Sequence, residues 1–113
     1  MISFAHRFHG NNALNYVYRN GRTLRSKYFS AKYIANSKRD TYRAAVVVSK
    51  KVAKRAPTRN RIRRRLYELI RQADPELLAN NDIVITIFDA AVADIDHAEL
   101  QEVFSRMIAD IKN

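Results

Sequence analysis

The residues best equipped for chemistry lie between positions 50 and 65, "KKVAKRAPTRNRIRRR", where nine of sixteen are Lys or Arg and none is acidic. Arginine dominates the second half: Arg59, Arg61, Arg63, Arg64 and Arg65. A guanidinium binds phosphate bidentately and stacks on bases, which an ammonium cannot do. Pro57 and Thr58 precede a helical pattern, so the unpaired N–H groups of a first helical turn add a second anion-binding element. Arg59 and Arg61 sit beside the positive end of that helix dipole, an unfavourable place for a cation unless an anion is bound. A charged helix face that meets only water interleaves Glu at i,i+4, and here only Glu68 offers one. The chemistry implied is the binding of a polyanion, with Lys50, Lys51, Lys54, Arg55, Arg59, Asn60, Arg61, Arg63, Arg64 and Arg65 as the candidate contacts.

Bond-making constellations are poor. The first 65 residues hold a single carboxylate, Asp40, too few for a two-metal nuclease site. Asp89, Asp94, Asp96 and Glu99 cluster later, where a surface loop and a helix cap explain them. His6, His9 and His97 lack the spacing of a metal site. There is no Gly-rich phosphate loop. The absence of cysteine excludes disulfides, thiol catalysis and Cys-ligated zinc. No catalytic residue, metal site or cofactor held by the protein alone is expected.

The elements that must position the basic residues follow from charge and periodicity. The chain has 113 residues and a net charge of +10. Residues 1–65 carry 18 Lys and Arg against one acid, and residues 66–113 carry 3 against 10. Solubility does not require such segregation, whereas a one-sided field attracts a polyanion. Nucleic acid fits better than an anionic membrane surface. No apolar run reaches the roughly 20 residues of a membrane span, and the N-terminal stretch has no apolar signal-peptide core, so a soluble cytoplasmic protein is expected. Tyr16, Tyr18, Tyr28, Phe29, Tyr33 and Tyr42 interleave with the basic residues; on an exposed sheet face they would stack unpaired bases.

Residues 1–113 read as one RNA-binding domain. "NNALNYVYRNG" is a short helix with Leu14, Val17 and Tyr18 on one face, Asn11 or Asn12 as its cap and Gly21 closing it. Strands are expected at 22–27, 27–35, 41–50 and 82–88. In 27–35 the side chains alternate, Phe29, Ala31, Tyr33 and Ala35 one way, Tyr28, Ser30, Lys32 and Ile34 the other. Ile62, Leu66, Leu69, Ile70 and Ala73 make one helical stripe, with Asn60, Arg61, Arg64, Glu68 and Arg71 opposite and Arg63 and Arg65 flanking. A last amphipathic helix covers 96–111, with Asp96 and Glu99 as a capping box. The order α-β-β-β-α-β-α gives an α+β sandwich with helices packed on a mainly antiparallel sheet.

The stretch "SKKVAKRAPTRNRIRRRLYE" resembles the signature of the bacterial ribonuclease P protein subunit: Ser49, Lys50 and Lys51 ending a strand, a short loop, then Arg59, Asn60, Arg61, Arg63 and Arg64 opening a helix. The resemblance extends over most of the chain. It departs in a loop one residue longer before Arg59, in Ala53 for a common glycine, in Leu14 where an aromatic is frequent and in Tyr67 where a basic residue is. It implies the ribosomal-protein-S5-like fold with a left-handed crossover. It also implies an accessory role in removing the 5′ leader from precursor tRNA, with the chemistry in a catalytic RNA and Mg2+ required by the holoenzyme. The implied partners are that RNA, met by the Arg-rich helix, and the single-stranded leader, met by a cleft at Leu14, Tyr18, Phe29 and Lys32. A generic RNA-binding or ribosome-associated protein would share the charge without the cleft. A DNA-binding regulator would need base-reading side chains beyond Asn60.

Overall fold

The computed structural model describes residues 6–8, 10–38 and 40–111. Helix α1 (Asn12–Asn20) leads into strands β1 (Arg22–Arg25), β2 (Phe29–Ala35) and β3 (Arg43–Val47). Helix α2 (Ala56–Gln72) and the one-turn helix α3 (Pro75–Leu78) connect to β4 (Asn81–Ile87), and a 3₁₀ turn (Ala90–Ala93) precedes α4 (His97–Ile108). The long elements keep the expected order. The two short ones are too brief to show a period, and local chemistry makes them. Asp74 caps α3 by accepting from the Glu76 N–H at 3.0 Å, and Asp89 caps the 3₁₀ turn by accepting from the Ala91 N–H at 2.9 Å.

The sheet order is β1-β2-β4-β3, antiparallel at β1/β2 and β2/β4 and parallel at β3/β4. The parallel pair requires a crossover, which α2 supplies. Alternation then divides the sheet. Phe29, Ala31, Tyr33, Ala44, Val46, Ile83, Ile85 and Ile87 join one core with Ile62, Leu66, Leu69 and Ile70 of α2 and Leu100, Phe104, Met107 and Ile108 of α4. The reverse face carries Thr23, Arg25, Ser30, Lys32, Ala45, Val47, Val84 and Thr86 by the same register. Helix α1 lies across this reverse face, against β2 and β4, where Val17 and Val84 are fully buried.

Three local expectations change. Gly21 closes α1 through its N–H to the Val17 carbonyl at 2.8 Å, but with φ −75° it uses no left-handed conformation. Glycine is needed for space, because a Cβ would lie 2.6 Å from the Val17 oxygen and 3.0 Å from the Tyr33 oxygen. Asp96 stands at the N-cap of α4 without a side-chain capping bond. The capping box does not form because Glu99 instead accepts a hydrogen bond from the Tyr28 hydroxyl and faces Lys27 at 3.6 Å. Helix α2 starts two residues before Thr58, with Pro57 inside its first turn.

Candidate nucleic-acid interface

The apolar stripe of α2 presses Ile62, Leu66, Leu69 and Ile70 into the core, so the opposite face must meet solvent. Pro57, Asn60, Arg63 and Arg64 line an open concavity of about 440 Å³ on that face. The arginines divide by what they touch. Arg64 is exposed and makes no hydrogen bond or ion pair among the described residues. Arg61 is exposed and faces the exposed Asp94 at 3.7 Å, a pair worth little in water. Arg63 donates to the Asn60 side-chain carbonyl. Arg59 donates from Nη1 to the carbonyls of Ala53 (2.9 Å) and Lys54 (2.8 Å), folding the preceding loop against the start of the helix. That loop turns on the Ser49 carbonyl, which accepts from the N–H groups of Val52 and Ala53 at 3.2 Å each. It thereby leaves Lys50, Lys51, Lys54 and Arg55 exposed beside the arginines.

Arg65 is a correction. Its Nη1 donates to the Val92 carbonyl at 2.7 Å and its Nη2 to the Ile95 carbonyl at 2.6 Å. The guanidinium thus pins the 3₁₀ turn to α2 and is withdrawn from the basic face.

On the reverse sheet face, Lys32 donates from Nζ to the Tyr18 carbonyl at 2.8 Å. This carbonyl lies in the last turn of α1, where unpaired acceptors and the dipole favour a cation. Leu14 and Tyr18, one turn apart, share one side of α1 and are both half-buried. Phe29 is also corrected. It is fully buried and belongs to the core face, so it cannot line the groove. With period 2, the strand's groove-facing neighbours are Ser30 and Lys32. Tyr28, Tyr33 and Tyr42 are buried too. The open sheet face is therefore basic and hydroxylic, not aromatic, and its accessible tyrosines, Tyr16 and Tyr18, come from α1. Sequence reasoning missed Phe88, half-exposed just past β4, where its N–H donates to the Tyr28 carbonyl at 3.1 Å. It has the same parity as Val84 and Thr86 in "DIVITIF", one position beyond the paired strand.

The acidic residues have local work. Among the described residues no group of three His, Cys, Asp or Glu could hold a metal ion. The Asp82 side chain accepts from Arg43 Nε (2.9 Å) and Nη2 (2.6 Å) and from Asn36 Nδ2 (3.1 Å). That hydrogen bonding raises the Arg43 guanidinium above its ordinary pKa despite burial. Glu68 is held below the ordinary carboxylate range by its hydrogen bond from Arg71. His6 stacks on Tyr42 with ring centroids 4.0 Å apart and Nδ1 2.9 Å from the Tyr42 carbonyl oxygen. His9 lies outside the described residues. No described helix is long and apolar enough to cross a membrane.

A mixed sheet with an arginine-faced crossover helix and a groove on its reverse side defines an α+β protein with a surface suited to a polyanion. The chain belongs to the ribonuclease P protein family, whose model, described as Ribonuclease P, matches residues 3–112. It is 35% identical over 96 residues to the ribonuclease P protein component of a Pseudanabaena species, covering 85% of this chain and 82% of that one. It is 40% identical over 85 residues to that of Clostridioides difficile, covering 71% and 73%. The fold is similar to the RNase P protein of Thermotoga maritima, with a TM-score of 0.83 at 21% identity, covering 95% of this chain and 98% of that one. For the Staphylococcus aureus RNase P protein the TM-score is 0.80 at 24% identity, covering 96% and 98%. The chain is accordingly a protein subunit of ribonuclease P, the endoribonuclease that matures the 5′ end of tRNA.

Proposed function

We propose that the subunit serves the catalytic RNA of ribonuclease P through two separate surfaces. The first is the exposed side of α2 with the loop before it: Lys50, Lys51, Lys54, Arg55, Arg59, Asn60, Arg61, Arg63 and Arg64. It docks on folded RNA phosphate. The second is the groove between α1 and the reverse sheet face, with Leu14, Tyr18, Ser30, Lys32 and, at its far end, Phe88. It receives the unpaired 5′ leader of precursor tRNA. The chain's residues bind and orient RNA, and cleavage belongs to the catalytic RNA with Mg2+ that the holoenzyme requires. No metal-holding residue is assigned to the protein, and its place of work is the cytoplasm.

The observation that carries this reading is the spatial separation of the two polar surfaces. Arg61 and Arg64 stand on the solvent face of a helix whose other side is core, while Tyr18 and Lys32 meet across the sheet's reverse face. Reconstitution with catalytic RNA at low Mg2+ tests it. Tyr18→Ala should weaken precursor tRNA binding by about 5- to 150-fold, the range for one lost base stack. Mature tRNA, which lacks the leader, should bind as before, and assembly with the RNA should survive. Equal losses for both tRNA forms, or 5′-specific cleavage by RNA-free protein, would overturn it.

A further inference from the structure

Helix α1 has a second flank. At 100° per residue, Leu14 and Tyr18 fall on one side of the Val17 contact, and Ala13, Tyr16 and Asn20 on the other. Against this second flank lies a groove of about 440 Å³, lined by Ala13, Tyr16, Ile34, Lys38, Arg43 and Asp82 together with the turn after β2. Tyr16 is 57% exposed, the most exposed large apolar side chain among the described residues. Its hydroxyl makes no hydrogen bond among them, and nothing in the fold requires an aromatic there. The groove's polar end is rigid, because the nearly buried Arg43–Asp82 pair (17% and 6% side-chain exposure) is braced by Asn36 at 3.1 Å. Lys38 and the Ser37 hydroxyl stand at the rim with no side-chain partner among the described residues. Two bonds to Asp82 use only Nε and Nη2 of Arg43, leaving Nη1 with donors to spare.

We infer that this groove is a second nucleotide-binding site, taking one unpaired RNA nucleotide with its base stacked on Tyr16 and its phosphate at Lys38 and Ser37. An aromatic wall beside a cationic rim is the arrangement that binds single strands without reading sequence. A lone exposed tyrosine would carry no such meaning, but this one faces positive charge across a cavity sized for a base. The inference rests on the RNA-binding reading above, yet it concerns the opposite flank of α1, so the two can fail separately.

The test is a backbone amide NMR titration of the isotope-labelled full chain with an unstructured five-nucleotide oligoadenylate, and separately with inorganic phosphate. Saturable shifts are expected at Ala13, Tyr16, Ser37 and Lys38, distinct from a set around Tyr18, Ser30 and Lys32. Tyr16→Ala should weaken the first set by about 5- to 150-fold and leave the second unchanged, while Tyr16→Phe should keep both. Shifts around Tyr16 without those around Tyr18 would support this site and overturn the leader groove. Shifts around Tyr18 alone, no shifts at all, or identical shifts with phosphate would overturn the second nucleotide site, as would an unaltered titration of Tyr16→Ala.

Discussion

Arg64 and Arg65 are neighbours of the same charge, and their replacement by alanine should have opposite consequences. Arg64 points to solvent with no partner among the described residues, so Arg64→Ala should change stability by less than about 0.5 kcal/mol. If Arg64 neutralises one RNA phosphate, its loss should lower the slope of log affinity against log salt by about 0.7–0.9. The fourfold dilution from 200 to 50 mM salt would then recover about threefold less affinity for the variant than for the parent. Arg65 spends two N–H groups on the carbonyls of Val92 and Ile95. Val92 is fully buried with Arg65 in place, so after truncation water could replace the lost bond to its carbonyl only in part. With about 1.5–3 kcal/mol for a hydrogen bond to a charged group, and allowing for partial rearrangement, Arg65→Ala should cost about 2–4 kcal/mol. For a chain of this size that is about 8–16 °C in Tm. Thermal unfolding by circular dichroism reads the first quantity, and filter binding to the catalytic RNA at four salt concentrations reads the second. A slope change in Arg65→Ala as large as that in Arg64→Ala, with an unaltered Tm, would return Arg65 to the docking face. A destabilised Arg64→Ala would place Arg64 in the fold.

Other perturbations probe the scaffold. Gly21→Ala should lower stability by about 1–3 kcal/mol, the usual cost of overpacking, because its Cβ meets backbone oxygens that cannot rotate away; denaturant unfolding measures it, and an unchanged midpoint would refute the close approach. Asp82→Ala leaves the half-buried Arg43 guanidinium at the edge of the groove without its carboxylate, at about 1–3 kcal/mol, and replacing both residues by apolar ones should recover most of that loss. The Glu68 carboxyl should titrate below the ordinary glutamate range by NMR and return to it in Arg71→Ala. Since its folded pKa is depressed, the stability it contributes is present above the unfolded pKa and lost as pH falls through the folded one.

What could be read in the sequence was periodic, and what could not was decided at long range. The α2 stripe was legible because Ile62, Leu66, Leu69 and Ile70 repeat at helical spacing, and a helix must turn that stripe inward whatever it packs against. The alternation of β2 was equally legible, but not which of its faces makes the core. Both faces are covered, one by α2 and α4 and the other by α1, so an aromatic such as Phe29 suits either until the layers are known. The same limit explains Glu99 and Arg65. Each sits where local chemistry offers a role, a capping box for one and phosphate binding for the other. Each is claimed instead by a partner far along the chain, Tyr28 at a separation of 71 residues and the carbonyls of Val92 and Ile95 at 27 and 30. A charged side chain free to reach solvent can keep the role its neighbours suggest. Arg65 has both terminal nitrogens taken by carbonyls far along the chain, where leaving the carbonyls unpaired is costly, whereas Arg59 bonds its own preceding loop through Nη1 alone and keeps Nε and Nη2. That is why the solvent-facing arginines of α2 were legible from its stripe, whereas the contacts of Arg65, which turns under the edge of the helix, were not.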